Sequence, residues 1–193
     1  MSVSLWRSPL SRALHRNRSK PHTRYFQLAT VQADGHPTNR TVVFRGFLGE
    51  TDKIKIITDS RSQKVEQIYQ NTWGEICWYF TETREQFRLA GEIILVDVDN
   101  SDVELQKARH LTWQELSDNA RIQFAWAHPG KERANQEAFS PPPPDAIVPL
   151  ANFCLLLLDP LKVDHLELRG EPQNRWFYLR DELGNWEKSP VNP

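Results

Sequence analysis

Two cationic clusters, Arg40-Thr41-Val42-Val43-Phe44-Arg45 and Thr58-Asp59-Ser60-Arg61-Ser62-Gln63-Lys64, are the part of this chain whose residue types and spacing can do chemistry. A phosphate dianion is held by charge-assisted bonds from Arg and Lys, by Ser or Thr hydroxyls, and by free backbone N–H groups where a helix starts. All three kinds of donor occur here. Arg40 opens one predicted strand, Thr58 closes the adjacent one, and Ser60, Arg61, Ser62 and Lys64 stand where a short helix over residues 65–71 should begin. Taken singly, Arg40 is an ordinary strand-end cation and Lys64 an ordinary helix-end charge. A Lys in a first helical turn, however, opposes the helix dipole unless an anion is bound there. Together these residues predict a phosphate site.

The elements that must position them read mostly as strands. Residues 25–32 alternate apolar and polar, Ala33-Asp34-Gly35-His36-Pro37 is a hairpin turn, and 38–47 resume with β-branched residues. Further strands are predicted over 53–58, 73–81 and 84–97, the last interrupted at Gly91 by a bulge or a close backbone approach. Five strands with one inserted helix favour a barrel. Residues 101–126 change period. Val103, Leu105, Ala108 and Leu111 suggest the inward stripe of one helix, and Trp113, Leu116, Ala120 and Phe124 that of a second. Residues 127–148, with Pro141 to Pro144, read as an exposed Pro-rich loop. Three strands near 152–158, 161–169 and 174–189 follow, the last with a turn at 181–184.

At 193 residues the chain fits a single domain spanning 1–193. Seven Trp and nine Phe against one Met favour a core of stiff aromatic and β-branched side chains, which suits sheets. The net charge of −1 carries no global nucleic-acid signature. Arg7, Arg12, Arg16, Arg18, Lys20 and Arg24 nevertheless precede the first acid, Asp34. A basic arm or a transit peptide would look like this. The simpler reading is a helix over 8–20, with Ser8 as N-cap, Pro9 at N1, and an apolar stripe of Leu10, Ala13 and Leu14 packing on the barrel. No apolar run reaches membrane-spanning length. Cys77 and Cys154 fall in apolar strand patterns and read as core thiols of a cytoplasmic protein. The six His show no metal-ligand spacing, and neither a Walker loop, a dinucleotide fingerprint nor a Gly-x-Ser-x-Gly turn occurs.

The two clusters resemble those of the pyridoxamine 5'-phosphate oxidase-like flavoproteins, which carry an Arg-x-Val-x-x-Lys strand followed by Tyr-Thr-Asn-x-x-Ser-x-Lys and a helix. Here Arg40, Val42 and Arg45 match the first element, and Thr58, Asp59, Ser62 and Lys64 the second. Glu85-Gln86-Phe87-Arg88-Leu89-Ala90-Gly91 is similar to the family's Arg-Gln-Val-x-x-x-Gly strand. Arg175 to Arg180, with Gly184-Asn185-Trp186 and Pro193, is similar to its closing hairpin. The resemblance implies a mainly β fold with α elements, a split β-barrel with peripheral helices that binds flavin mononucleotide (FMN). It also implies a homodimer with the flavin at the subunit interface. The implied contacts are Arg40, Thr41, Val42, Val43, Arg45, Ile57, Thr58, Ser62, Gln63 and Lys64, with Gln86 and Arg175 at the ring.

The family's vitamin-phosphate residues are not matched. Arg45 replaces a Lys, Arg109, Trp113, Ser117 and Arg121 fall out of register, and Glu171-Pro172-Gln173 stands where Arg-x-His is expected. A carboxylate at Glu171 would meet a substrate phosphate as a like charge. The expectation is therefore an FMN-dependent oxidoreductase of a small molecule with altered substrate residues and no assigned catalytic acid or base. A noncatalytic flavin, haem or pyridoxal-phosphate binding module is the alternative, and nothing beyond the basic N-terminus supports nucleic-acid binding.

Overall fold

Alternation of buried and exposed residues builds the first hairpin. In the computed structural model, which describes residues 4–193, β1 (Tyr25–Val31) turns Phe26, Leu28 and Thr30 inward and pairs antiparallel with β2 (Pro37–Val43). After the connection 44–53 come β3 (Ile54–Asp59) and α2 (Gln63–Gln70), which buries Val65, Gln67 and Ile68. Next are β4 (Trp73–Phe80), β5 (Glu85–Val96), β6 (Phe153–Glu167), β7 (Asn174–Arg180) and β8 (Trp186–Val191). All eight strands form one antiparallel sheet in the order β2-β1-β4-β5-β6-β7-β8, with β3 joined to β6. The mainly β class with peripheral helices expected from the sequence is what the chain adopts.

The sheet curls because β6 serves two sets of neighbours. Its first half, Phe153 to Leu158, lies between β3 and the far half of β5; its second half, Lys162 to Glu167, lies between the near half of β5 and β7. The register shifts between Ala90 and Gly91, where the ladder passes from Lys162 to Pro160. The two strands predicted over 152–158 and 161–169 are thus one. Pro160 interrupts the apolar pattern, but it sits at the bulge, where a missing N–H costs no ladder bond. Leu156 and Leu158 enter the main core with Trp6, Phe26, Trp78 and Phe87, whereas Leu155 and Leu157 pack with Val96 under α3 (Val103–Gln114). Burial on both faces explains the unbroken apolar run from Cys154 to Leu158.

Three local expectations need correction. The N-terminal helix, α1 (Arg7–Asn17), starts before Ser8, with Trp6 at the N-cap and no side-chain cap bond. Burying Trp6 fixes the entry, and Arg7 bonds the Thr51 carbonyl and Asp52 instead. In α3, capped by Asp102, Val103 and Leu111 are exposed while Arg109, Thr112 and Trp113 are buried. The Arg109 guanidinium turns inward because the carbonyls of Phe153 (2.8 Å) and Leu150 (2.9 Å) accept from it. The second helical stripe is shorter than predicted: α4 (Asp118–Arg121) passes at once into a 3-10 turn, Ile122–Ala125. Trp113, Leu116 and Phe124 still pack together, with Phe153. Among the described residues no helix is long and apolar enough to cross a membrane.

Candidate functional site

A cavity of about 650 Å³ opens between β2, the end of β3, the start of α2 and the segment from Ala120 to Phe139. Arg40, Thr41, Val42, Val43, Arg45, Ile57, Thr58 and Lys64 all line it. β2 and β3 are not ladder neighbours, contrary to the reading of them as adjacent strands. Their approach is made by the connection, where Arg45 N–H donates to the Lys55 carbonyl and Lys55 N–H to that of Gly46. Arg40 lies within β2 rather than at its opening.

The cations here are held by neutral groups. Arg40 donates through Nη1 to the Leu28 carbonyl (3.0 Å) and Thr30 Oγ1 (2.7 Å), and through Nη2 to Thr38 Oγ1 (2.8 Å) and Gln67 Oε1 (3.0 Å). Four of the five N–H groups of a guanidinium are thereby used, leaving Nε–H and an uncompensated charge. The side chain is a fixed point charge more than a free fork. Lys64 Nζ donates to Thr58 Oγ1 (3.0 Å) and Ser62 Oγ (3.2 Å). The Arg45 Nε is buried with no partner. None of these three cations forms an ion pair with a carboxylate among the described residues.

Their acidities record the same imbalance. Burial pushes the Lys64 ammonium below its ordinary range, the like charge of Arg40 adds to this, and Asp59 offsets it only in part. Burial also lowers Arg40, and Arg45 is lowered by burial and then by Arg24. Cations that repel one another in a partly dry cavity, facing hydroxyls, are what an anion would stabilise. The Arg61 charge, by contrast, is met by Asp59, whose carboxyl stays low despite burial because Arg61 and Asn152 hydrogen-bond it.

Ser62, Gln63, Gln86 and Arg175 are not on the cavity wall. Ser62 is the N-cap of α2, but its hydroxyl donates to the Asp59 carbonyl (2.7 Å) and reaches the site only through Lys64 and Thr58. Gln63 is exposed. Gln86 on β5, Leu166 on β6 and Arg175 on β7 are consecutive partners across three strands, so the structure brings Gln86 and Arg175 into one row on one sheet face, apart from the cations. Arg175 donates to Asp164 through Nε (3.0 Å) and Nη2 (2.8 Å), and Arg88 pairs with the same carboxylate.

Sequence reasoning missed the opposite wall. Phe124, Trp126, His128, Lys131, Arg133 and Phe139 face the β2 cations across the cavity, and the Trp126 Nε1–H is buried without an acceptor. Polarity and proline content gave no sign that this loop packs against the site. Apart from the cavity, His165 is buried, stacked on Phe87 at 4.0 Å and 2.9 Å from Glu85 through Nε2, with Glu167 beside the pair. Glu85 and Phe87 lie on β5, His165 and Glu167 on β6, and only the register of the two strands joins the pairs.

Known proteins match along the whole chain. The family model described as pyridoxamine 5'-phosphate oxidase, FMN-binding domain, matches residues 3–97. The chain is 37% identical over 199 residues to pyridoxine/pyridoxamine 5'-phosphate oxidase 2 of Arabidopsis thaliana, a match covering 99% of this chain and 98% of that one. A crystal structure of a pyridoxamine 5'-phosphate oxidase-related, FMN binding protein from Nostoc punctiforme PCC 73102 is 58% identical, with a TM-score of 0.98 and complete coverage of both chains. PhzG from Burkholderia lata 383, at 17% identity and a TM-score of 0.80 over 100% of this chain and 94% of its own, shares the fold.

Proposed function

The chain belongs to the pyridoxamine 5'-phosphate oxidase FMN-binding family and its cofactor is FMN, and from that premise we propose an FMN-dependent oxidoreductase of a small molecule, with the flavin phosphate seated among Arg40, Thr58 and Lys64. The observation that carries this reading is that three cations on one side of the cavity, Arg40, Arg45 and Lys64, form no ion pair among the described residues. A phosphate dianion between Arg40 and Lys64 relieves their repulsion and accepts from Lys64 and the Thr58 hydroxyl. Thr41, Val42, Val43 and Ile57 then flank the rest of the cofactor, while Ser62 orients Lys64.

Bound FMN supplies two-electron acceptance from a substrate C–H or N–H centre. The chain contributes binding, orientation and a fixed positive field. Gln86 and Arg175 serve the ring if a second copy presents its sheet face to the cavity, and the row in which they lie supports a homodimer with a shared site. The substrate residues are altered from the family's oxidase: Glu171 and Gln173 line a separate cleft with Arg84 and Arg169. Free Cys77 and Cys154 suit a reducing compartment such as the cytoplasm.

The test is the visible spectrum of the purified protein with FMN titration, followed by anaerobic addition of pyridoxamine 5'-phosphate as the first donor. One FMN per chain and bleaching by a donor are expected. No binding at micromolar FMN overturns the proposal, and a flavin that no donor reduces makes the protein a carrier.

The pH dependence is a second expected result. Lys64, held by burial below the ordinary range of a lysine, loses its proton early in the apo protein, so FMN affinity falls as pH rises through that lowered pKa. It also falls below about pH 6, where the phosphate becomes a monoanion. Apo stability moves the other way on the alkaline side. Between the lowered folded pKa and the unfolded one the unfolded chain binds more protons, so this group makes stability rise with pH. The gap between holo and apo melting temperatures should therefore narrow toward alkaline pH; a constant gap would remove Lys64 from the site.

A further inference from the structure

We infer that Arg61 is a positioning residue that locks the far wall of the cofactor cavity to the phosphate turn, an inference that rests on the FMN reading above. Its guanidinium pairs with Asp59 through Nε (2.9 Å) and Nη2 (2.6 Å). The remaining reach goes to the other wall: Nη2 donates to the Phe124 carbonyl (3.1 Å) and Nη1 to that of Trp126 (3.3 Å). Asn152 doubles the tie, its Nδ2 donating to Asp59 Oδ2 (2.7 Å) and to the Phe124 carbonyl (2.8 Å), while its own carbonyl accepts from Ser60 N–H (2.8 Å).

Three segments distant in sequence, 59–62, 124–126 and 152, thus meet in one closed hydrogen-bond network. Arg61 lines the cavity as well, but two features separate it from Arg40, Arg45 and Lys64. Its charge is already neutralised by a bidentate carboxylate, and all but one of its five N–H groups are occupied. What it controls is where the segment ending in Trp126 stands. That residue leads into the loop lining the cavity and carries a buried indole N–H with no acceptor. Displacing the carbonyls that Arg61 holds moves that wall relative to Thr58 and Lys64, and small displacements of binding groups are costly.

The experiment compares FMN with riboflavin, which lacks the phosphate, by flavin-fluorescence titration of wild type, Arg61→Ala and Asn152→Ala, with Lys64→Ala as the phosphate-contact control. Melting curves confirm folding and read the purely structural contribution separately. Arg61→Ala should weaken both flavins by about tenfold, the scale of one charge-assisted hydrogen bond, with an FMN-to-riboflavin ratio close to wild type. Asn152→Ala should do the same to a smaller extent, and stands in if Arg61→Ala fails to fold. Lys64→Ala should lower the ratio. Loss of FMN affinity alone in Arg61→Ala would make Arg61 a direct phosphate ligand and overturn the inference. Unchanged affinity for both flavins in a protein that merely melts earlier would also overturn it, by making the network scaffold only. A wild-type protein that binds neither flavin would sink the FMN reading itself, a distinct result.

Discussion

Lys64→Glu should abolish FMN retention and leave the apo protein folded. In the wild type, Nζ of Lys64 donates, among the described residues, to the hydroxyls of Thr58 and Ser62, and its ammonium is destabilised by burial and by Arg40. The substitution puts a carboxylate where a phosphate dianion should sit. Losing one partner of a desolvated, hydrogen-bonded charge pair costs about 2–5 kcal/mol, and reversal adds repulsion, so affinity should drop by at least roughly a thousandfold. The apo protein gains from the same change, because a Glu near Arg40 replaces a like-charge contact with an opposite one. The expected signature is therefore paired: protein purified without flavin absorbance, yet melting at or above the temperature of wild-type apo protein. FMN affinity left intact would end the phosphate assignment.

The grouping of the residues proposed to hold the phosphate was legible because it is local. Residues 40–64 comprise two alternating strands and a turn, and Thr58, Ser62 and Lys64 meet through bonds spanning two to six positions. Where chemistry depends on segments far apart, sequence gave less. Arg175 pairs with Asp164 on the neighbouring strand, a choice set by the β6–β7 register, which no spacing along the chain discloses. Hydrophobic period misjudged α3 for a similar reason. Its buried face includes Arg109, which no apolar count would place inside, because carbonyls at the 150–153 turn were waiting to accept from it. The wall from Phe124 to Phe139 was invisible, since a polar, Pro-rich loop has the same composition whether it faces solvent or a cofactor.

Gly91→Ala should be the most damaging single methyl in the sheet. A Cβ there would lie 2.0 Å from the Asp159 carbonyl oxygen and 2.9 Å from Pro160 Cα, both backbone atoms of β6 that no rotamer change can move aside. Asp159 is anchored besides, accepting from Lys53 and Arg180 at 2.7 Å each, so relief by shifting the bulge would strain two ion pairs. Overpacking of this kind costs about 3 kcal/mol at its upper range, which for a chain of this size is a fall of roughly 6–12 °C in melting temperature. Gly74, opposite Gly91 on β4, provides the contrast. A Cβ there meets chiefly the end of the flexible Ile93 side chain at 2.4 Å, and Gly74→Ala should cost about 1 kcal/mol. Equal melting temperatures for the two variants would show that β6 yields at Pro160. In that case the glycine is not what bends the strand that carries β3, and with it Thr58, toward the phosphate site.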